Sequence, residues 1–288
     1  MKAIHRFSTE QSRADLHIHT IESDGALTPV ELLLKAKEVG LTTISITDHD
    51  SVNAVEEAIS FGSEIGIQVI PGVELSVTIE NRDVHILAYF FDYKNKPLLE
   101  YLDYFRKERY KRAEKIVDRL HSLKIPVPFE TVLKKANNGS VGRFHIALAL
   151  LEHGHVKSYN DAFYKYIGDR GPAFEEKVSL RPEELFSLVN HAGGISFIAH
   201  PGKLVNEIVL DSLLKAGVDG IEIIHPSHSP ELMNYYRSIA SEYFLLESGG
   251  SDFHGGQRKD DYAFGTVTIP ETMVNTMRNR LFPHSLAV

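Results

Sequence analysis

The sequence predicts an α/β fold: a barrel of parallel strands covered by helices and interrupted by a mainly helical insertion. Three observations lead to it. Strand-like and helix-like segments alternate over residues 13–94, which implies parallel strands with covering helices. The alternation stops over 95–178, where the segments read as helical, and resumes over 179–288. The strand-like segments also end repeatedly in His, Asp or Glu, and in a parallel barrel those ends converge on one rim.

The first strand is "ADLHIHT". A period of two places Asp15, His17 and His19 on one face and Leu16 and Ile18 on the other. "LTPVELLLKAKEVG" then reads as a helix, with Thr28 as N-cap, Pro29 at the first position, Glu31 closing a capping box and Gly40 past its end. "LTTISITDHD" is a short buried strand, residues around 52–64 form a helix, and "IQVIPGVELSV" and "DVHILAYFFD" are two further strands. In the insertion, "PLLEYLDYFRKERYKRAEKIVDRLHSL" is a long amphipathic helix, followed by "RFHIALALLEHG" and "YNDAFYKYI". Beyond it come the helix "RPEELFSLVNHAGG", the strand "ISFIAHP", a helix near 204–216 and the strand "DGIEIIHPSHS". A helix near 230–241, the strand "EYFLLESGGSDFH" and a final helix over about 271–280 complete the chain.

Composition narrows the function. Apolar residues make up 43% and charged residues 24% of 288, enough for a substantial core and too apolar for disorder. No apolar run approaches a membrane span, and "MKAIHRFSTEQSR" lacks the apolar centre of a signal peptide. The absence of cysteine removes disulfides and thiolate ligands and fits a cytoplasmic location. A net charge of −8 argues against binding long DNA, although a local basic pocket for a small anion stays compatible with it. Fifteen histidines against no cysteine and no tryptophan is the unusual feature.

Those histidines and several acids gather at strand ends: His17 and His19, Asp48-His49, Glu74, His200, His225, Asp252 and His254, with Asp24 in the "ESDG" turn and His85 in its strand. Such a set without sulfur favours Zn, Mn or Fe, and a carboxylate such as Glu74 can bridge two ions. Each residue has an ordinary reading on its own. Asp24 suits a turn beside Gly25, and His85 suits a hydrogen-bonded core histidine. Asp15 and Asp48 read best as carboxylates that support neighbouring imidazoles. Taken together the ordinary readings fail, because burying so many unpaired ionisable groups at one rim is severely destabilising.

The segments "DLHIHT", "SDG", "TDHD", "PGVE", "HIL", "AHP" and "SDFH" resemble, in order, those of the polymerase and histidinol phosphatase (PHP) family of metal-dependent phosphoesterases. The resemblance spans both ends of the chain and leaves out the insertion. It implies a distorted (β/α)7 TIM-like barrel with two or three divalent metal ions. Carried over by position, His17, His19, Glu74 and Asp252 would surround one ion. Glu74, His85 and His200 would hold a second, and Asp24, His49 and His254 a third. The insertion, "VGRFHIALAL" and "HPSHS" resemble a subgroup of small bacterial enzymes that remove phosphate from 3′,5′-nucleoside bisphosphates, some of which also trim short RNA from its 5′ end.

That resemblance implies a small phosphorylated nucleotide, or short RNA, as substrate. Arg143, His145, His225 and His228 are candidates for gripping phosphate, since a guanidinium matches phosphate oxygens and a helix N-terminus attracts anions. Arg109 joins them from a run in which Arg106, Arg109 and Arg112 recur every third residue. His225 or His228 is the candidate acid for the leaving oxygen, so the catalytic set is His225, His228, Asp252 and His254. No serine or cysteine nucleophile motif is present, and the expected reaction is direct metal-assisted hydrolysis of a phosphomonoester. Two alternatives share this metal centre: a histidinol-phosphate phosphatase, and a metal-binding PHP domain without catalysis.

Overall fold

A computed structural model describes residues 13–80, 82–202 and 207–282. The stretch expected to lack a signal peptide lies almost wholly outside these residues, as does the first turn of the helix expected near 204–216.

The first part of the chain forms β1 (Arg13–Ile18), α1 (Pro29–Glu38), β2 (Thr43–Ile46), α2 (Val55–Ile65), β3 (Gln68–Ile79) and β4 (Arg82–Tyr89). The helical stretch holds α3 (Lys96–Ser122), α4 (Phe129–Ala136), α5 (Arg143–Glu152), α6 (Tyr159–Ala162) and a π-helical turn at Phe163–Ile167. The last part holds α7 (Pro182–His191), β5 (Ile195–Ile198), α8 (Glu207–Ala216), β6 (Gly220–Ile224) and α9 (Pro230–Glu242). It ends in β7 (Leu246–Gly249), β8 (Ile269–Pro270) and α10 (Glu271–Leu281).

Local signals acted as expected where they were complete. The Thr28 hydroxyl accepts from the Glu31 N–H while Glu31 accepts from the Thr28 N–H, a closed capping box on α1. Removing such a cap costs about 1 kcal/mol. Gly40 takes a φ of +75° just past the helix, where a side chain would be strained.

The strands form one sheet in the order β7-β6-β5-β4-β3-β2-β1-β8. Pairs β1–β2, β2–β3, β5–β6 and β6–β7 are parallel, as expected from the alternation. β4 departs from that expectation and runs antiparallel to both β3 and β5. Only residues 80 and 81 separate β3 from β4, too few for the crossover that a parallel pair needs. The first residues of β3 pair with β2 and the later ones with β4, so Glu74 lies inside a long strand and not at its end. The two-residue β8, antiparallel to β1, had no sequence counterpart.

The sheet nearly closes into a barrel. Beyond β7, the Asp252 N–H donates to the His17 carbonyl at 2.8 Å and the His19 N–H donates to the Phe253 carbonyl at 2.9 Å. Gly250 permits this approach, since a Cβ there would stand 2.4 Å from the His17 nitrogen. One apolar cluster draws only on residues 113–173, among them Ile116, Leu120, Val132, Ile146 and Leu150. The start of α3 packs elsewhere, with Leu98, Leu102 and Phe105 joining a cluster of β3, β4, α7 and α9 residues. The long helix therefore ties two cores together. Among the described residues, no helix is long and apolar enough to cross a membrane.

Candidate metal centre

The face that β1 devotes to Asp15, His17 and His19 is fully buried. Around it the fold collects all nine expected ligand residues. Glu74, 1% exposed, is the hub. Its Oε2 faces His17 Nε2 at 3.4 Å, His19 Nε2 at 3.3 Å and His49 Nδ1 at 3.1 Å. Its Oε1 faces His85 Nδ1 at 2.8 Å and His200 Nε2 at 3.0 Å. Asp252 Oδ1 lies 3.4 Å from His17 Nε2 and 3.2 Å from His19 Nε2. Asp24 Oδ1 lies 3.5 Å from His254 Nε2, and its Oδ2 lies 3.8 Å from His49 Nε2. His85 takes part from the middle of its strand because β4 runs backwards and enters the sheet at the rim.

Backbone geometry aims several of these groups. His200 and Asp252 adopt φ values of +24° and +51°, a region that costs a non-glycine residue roughly 1–3 kcal/mol. Strain of this kind survives only where surrounding contacts enforce it.

The ring nitrogens show what the cluster can hold. His17 Nε2, His19 Nε2, His49 Nδ1, His85 Nδ1, His225 Nε2 and His254 Nε2 are buried without a well-formed hydrogen bond. For two of them the tautomer follows from the other nitrogen. His17 Nδ1 donates to Glu222 Oε1 at 3.0 Å, and His254 Nδ1 donates to the Asp252 carbonyl at 2.7 Å. In the neutral ring each Nε2 then carries the lone pair, turned toward carboxylates, as a metal ligand requires. Burial opposes the charge of Glu74, yet His49, His85 and His17 hold it well below the usual carboxylate range. Burial likewise opposes protonation of His17, but Glu222, Asp252 and Glu74 keep its ring well above the usual imidazole range. Concentrated buried anions and unused nitrogen lone pairs, without sulfur, fit divalent cations. The cluster is a candidate divalent-metal site.

A PHP domain model matches residues 15–166, more than half of the chain and the part that supplies His17, His19, Asp24, His49, Glu74 and His85. The chain belongs to the PHP family. It is 34% identical over 249 residues to the 5′-3′ exoribonuclease Rnm of Escherichia coli strain K12, covering 83% of this chain and 84% of that protein. It is 32% identical over 247 residues to the 3′,5′-nucleoside bisphosphate phosphatase of Chromobacterium violaceum, covering 83% of this chain and 86% of that one. A solved Bifidobacterium adolescentis structure described as a metal-dependent phosphoesterase superposes with a TM-score of 0.85 at 30% identity, covering 93% of this chain and 96% of that one. This PHP protein is a hydrolase acting on phosphate esters.

The remaining expectations divide. His225 reaches the PHP centre, with Nε2 3.4 Å from Asp252 Oδ2. Its Nδ1 accepts from the Ser227 N–H at 3.1 Å, which leaves the proton of the neutral ring on Nε2. His228, three residues on, has no nitrogen to offer. Its Nδ1 donates to the Ile223 carbonyl at 2.8 Å and its Nε2 accepts from the Gly202 N–H at 3.1 Å. Burial pushes that ring below the usual range, and its two nitrogens are engaged by backbone groups and not turned to the centre.

His145 is corrected in the same way. Its Nδ1 accepts from the Gly142 N–H at 3.0 Å, capping α5, and burial lowers its pKa. Arg109 is buried on Asp50 and so does not extend an exposed stripe; Arg106 sits beside surface Asp103, and Arg112 donates to the Glu175 carbonyl. Arg143 does line a cavity next to the centre, where it binds Asp169 at 2.6 Å. Asp15 supports no imidazole. Burial raises it to about 7, and its Oδ1 accepts the Ser251 and His17 backbone N–H groups. Asp48 accepts from the Thr20 N–H and the Thr20 and Ser23 hydroxyls, holding the loop that carries Asp24.

Two residues escaped sequence reasoning. Glu222 orients His17 and also accepts the His200 N–H at 2.6 Å. Its signal was present, since an acid inside the apolar strand "GIEII" is as unusual as Asp15 in β1. Arg258 pairs with Asp24 and lies 4.4 Å from the Phe144 ring centroid. It comes from the polar loop "GGQRKDD", where nothing local distinguishes it.

Proposed function

We propose that this chain removes the 3′-phosphate from 3′,5′-nucleoside bisphosphates and trims short 5′-phosphorylated RNA at the same site, with two or three Mn, Fe or Zn ions. The observation that carries this reading is the space beside the metal centre. The well lined by His49, Glu74, His85, His200, His225 and Asp252, about 380 Å3, adjoins a cavity of about 650 Å3 through His85 and His200. A nucleotide fits that size, whereas a small amino alcohol phosphate leaves most of it unfilled. The names of the relatives in Escherichia coli and Chromobacterium violaceum support the same reading.

His17, His19, Glu74 and Asp252 would hold one ion, Glu74, His85 and His200 a second, and Asp24, His49 and His254 a third. Bound divalent ions supply a water activated near neutral pH and positive charge for the phosphoryl oxygens. The chain supplies the rest. Glu74 offers a different oxygen to each of two groups of imidazoles, which suits a bridging carboxylate. Glu222 and the Asp252 carbonyl fix the tautomers of His17 and His254. Arg143 orients the 5′-phosphate, because its partner Asp169 is 59% exposed and a phosphate can displace it. His225 carries its proton on Nε2 at the well and delivers it to the leaving 3′ oxygen.

The test is a substrate panel assayed with each metal: adenosine 3′,5′-bisphosphate, a 5′-phosphorylated dinucleotide and histidinol phosphate. Release of phosphate from the bisphosphate, abolished by a chelator, is the expected result. Preference for histidinol phosphate, or no turnover of any substrate, overturns the reading.

A further inference from the structure

The metal well has a second opening. Through His225, Ser227, Asp252 and Arg258 it joins another cavity of about 230 Å3, which shares no lining residue with the 650 Å3 cavity. Pro226 and Tyr262 border this second space. Tyr262 is 69% exposed, a large ring left in water at the lip of a site that Pro226 and Ala263 line beside His225, Ser227 and Asp252. Within the same wall, Arg258 Nε is buried without a hydrogen-bond partner. An unused aromatic face beside an unused guanidinium donor is the equipment of a site that stacks a base and tracks its backbone.

We propose that Tyr262 is the stacking platform for the nucleobase on the 3′ side of the scissile phosphate, which makes the second cavity a nucleoside site used by oligonucleotides only. The proposal rests on the nucleotide reading above and assigns the two sides of the well. The 650 Å3 cavity is bounded by Arg143, Asp169 and Arg170 from the helical stretch, so it suits a terminal nucleotide that ends there. The Tyr262 side is bordered by an exposed residue, so a chain of any length can run out past it. With a dinucleotide, water adds to the bridging phosphorus and the bond from phosphorus to the 3′ oxygen breaks. That oxygen leaves with a proton from His225, and the phosphate stays on the downstream nucleoside. A bisphosphate undergoes the same bond cleavage with nothing beyond its 3′-phosphate, so it never reaches Tyr262.

The experiment compares wild type, Tyr262→Ala and Tyr262→Phe, loaded with Mn2+, on adenosine 3′,5′-bisphosphate and 5′-phosphorylated diadenylate. Losing one base–aromatic stack should lower the dinucleotide-to-bisphosphate ratio of kcat/KM about 10-fold in the alanine variant, mainly through KM. The phenylalanine variant should keep the wild-type ratio, because the ring and not the hydroxyl makes the contact. An unchanged ratio in Tyr262→Ala overturns the assignment. A wild type that cleaves the bisphosphate but not the dinucleotide also overturns it, while the bisphosphatase reading stands. A wild type inactive on both overturns the two together.

Discussion

The barrel rim and the helical stretch both contain histidines, and they use them in opposite ways. In the helical stretch every ring is occupied. His121 and His155 bond the Val127 and Pro126 carbonyls through Nε2, His153 meets the Thr131 hydroxyl, and His145 caps α5. At the rim, His17, His19, His49, His85, His225 and His254 each keep a buried nitrogen without a well-formed hydrogen bond. Among the described residues, a buried ring nitrogen left unbonded beside a carboxylate is confined to the rim, where it can meet a metal or a substrate, and no ring of the helical stretch has one. The same contrast separates His225 from His228 within one short loop.

The sharpest way to break this comparison is to exchange a residue on each side. His17→Asn should lose metal, read by elemental analysis, and more than about 100-fold in activity, since even residues that only support a ligand account for 10–100-fold. His155→Asn, in the helical stretch, should keep activity within about 2-fold. Equal effects would show that ring satisfaction does not mark the ligands.

A smaller effect should come from Glu222→Gln, which keeps the shape but removes the charge that orients His17. Metal affinity should fall about 10- to 100-fold, measured by competition with a chelator. Unchanged affinity would remove Glu222 from the centre.

The smallest effect on chemistry should belong to the two satisfied rings that the sequence had placed in the site. His145→Ala and His228→Ala should each lower stability by about 1–3 kcal/mol in denaturant unfolding, because backbone N–H groups lose their acceptors. Their kcat should stay near wild type. A selective loss of kcat with intact stability would return either residue to the catalytic set.

Much of this molecule was legible before any coordinates. Capping boxes, strand alternation and the helical break are local, so Thr28, Glu31 and Gly40 marked α1 without outside help. Strand-end polarity was also local, and it singled out the acids and imidazoles that the fold then gathers around Glu74. Reading β3 as ending at Glu74, and β4 as one more parallel strand, failed for a physical reason. A two-residue connection forces an antiparallel hairpin, and that reversal is what delivers His85 to the rim.

What the sequence determined by itself is the chemistry available: nitrogen and oxygen ligands without sulfur, carried on an α/β frame with a helical insertion. What only the tertiary structure decided is which of those groups remain free to use it. Glu222, which bonds His17 and His200, and Arg258, which bonds Asp24, reach them from 22 to 234 positions away. Periodicity cannot see such partners, because it describes a residue's face and not what folds onto it.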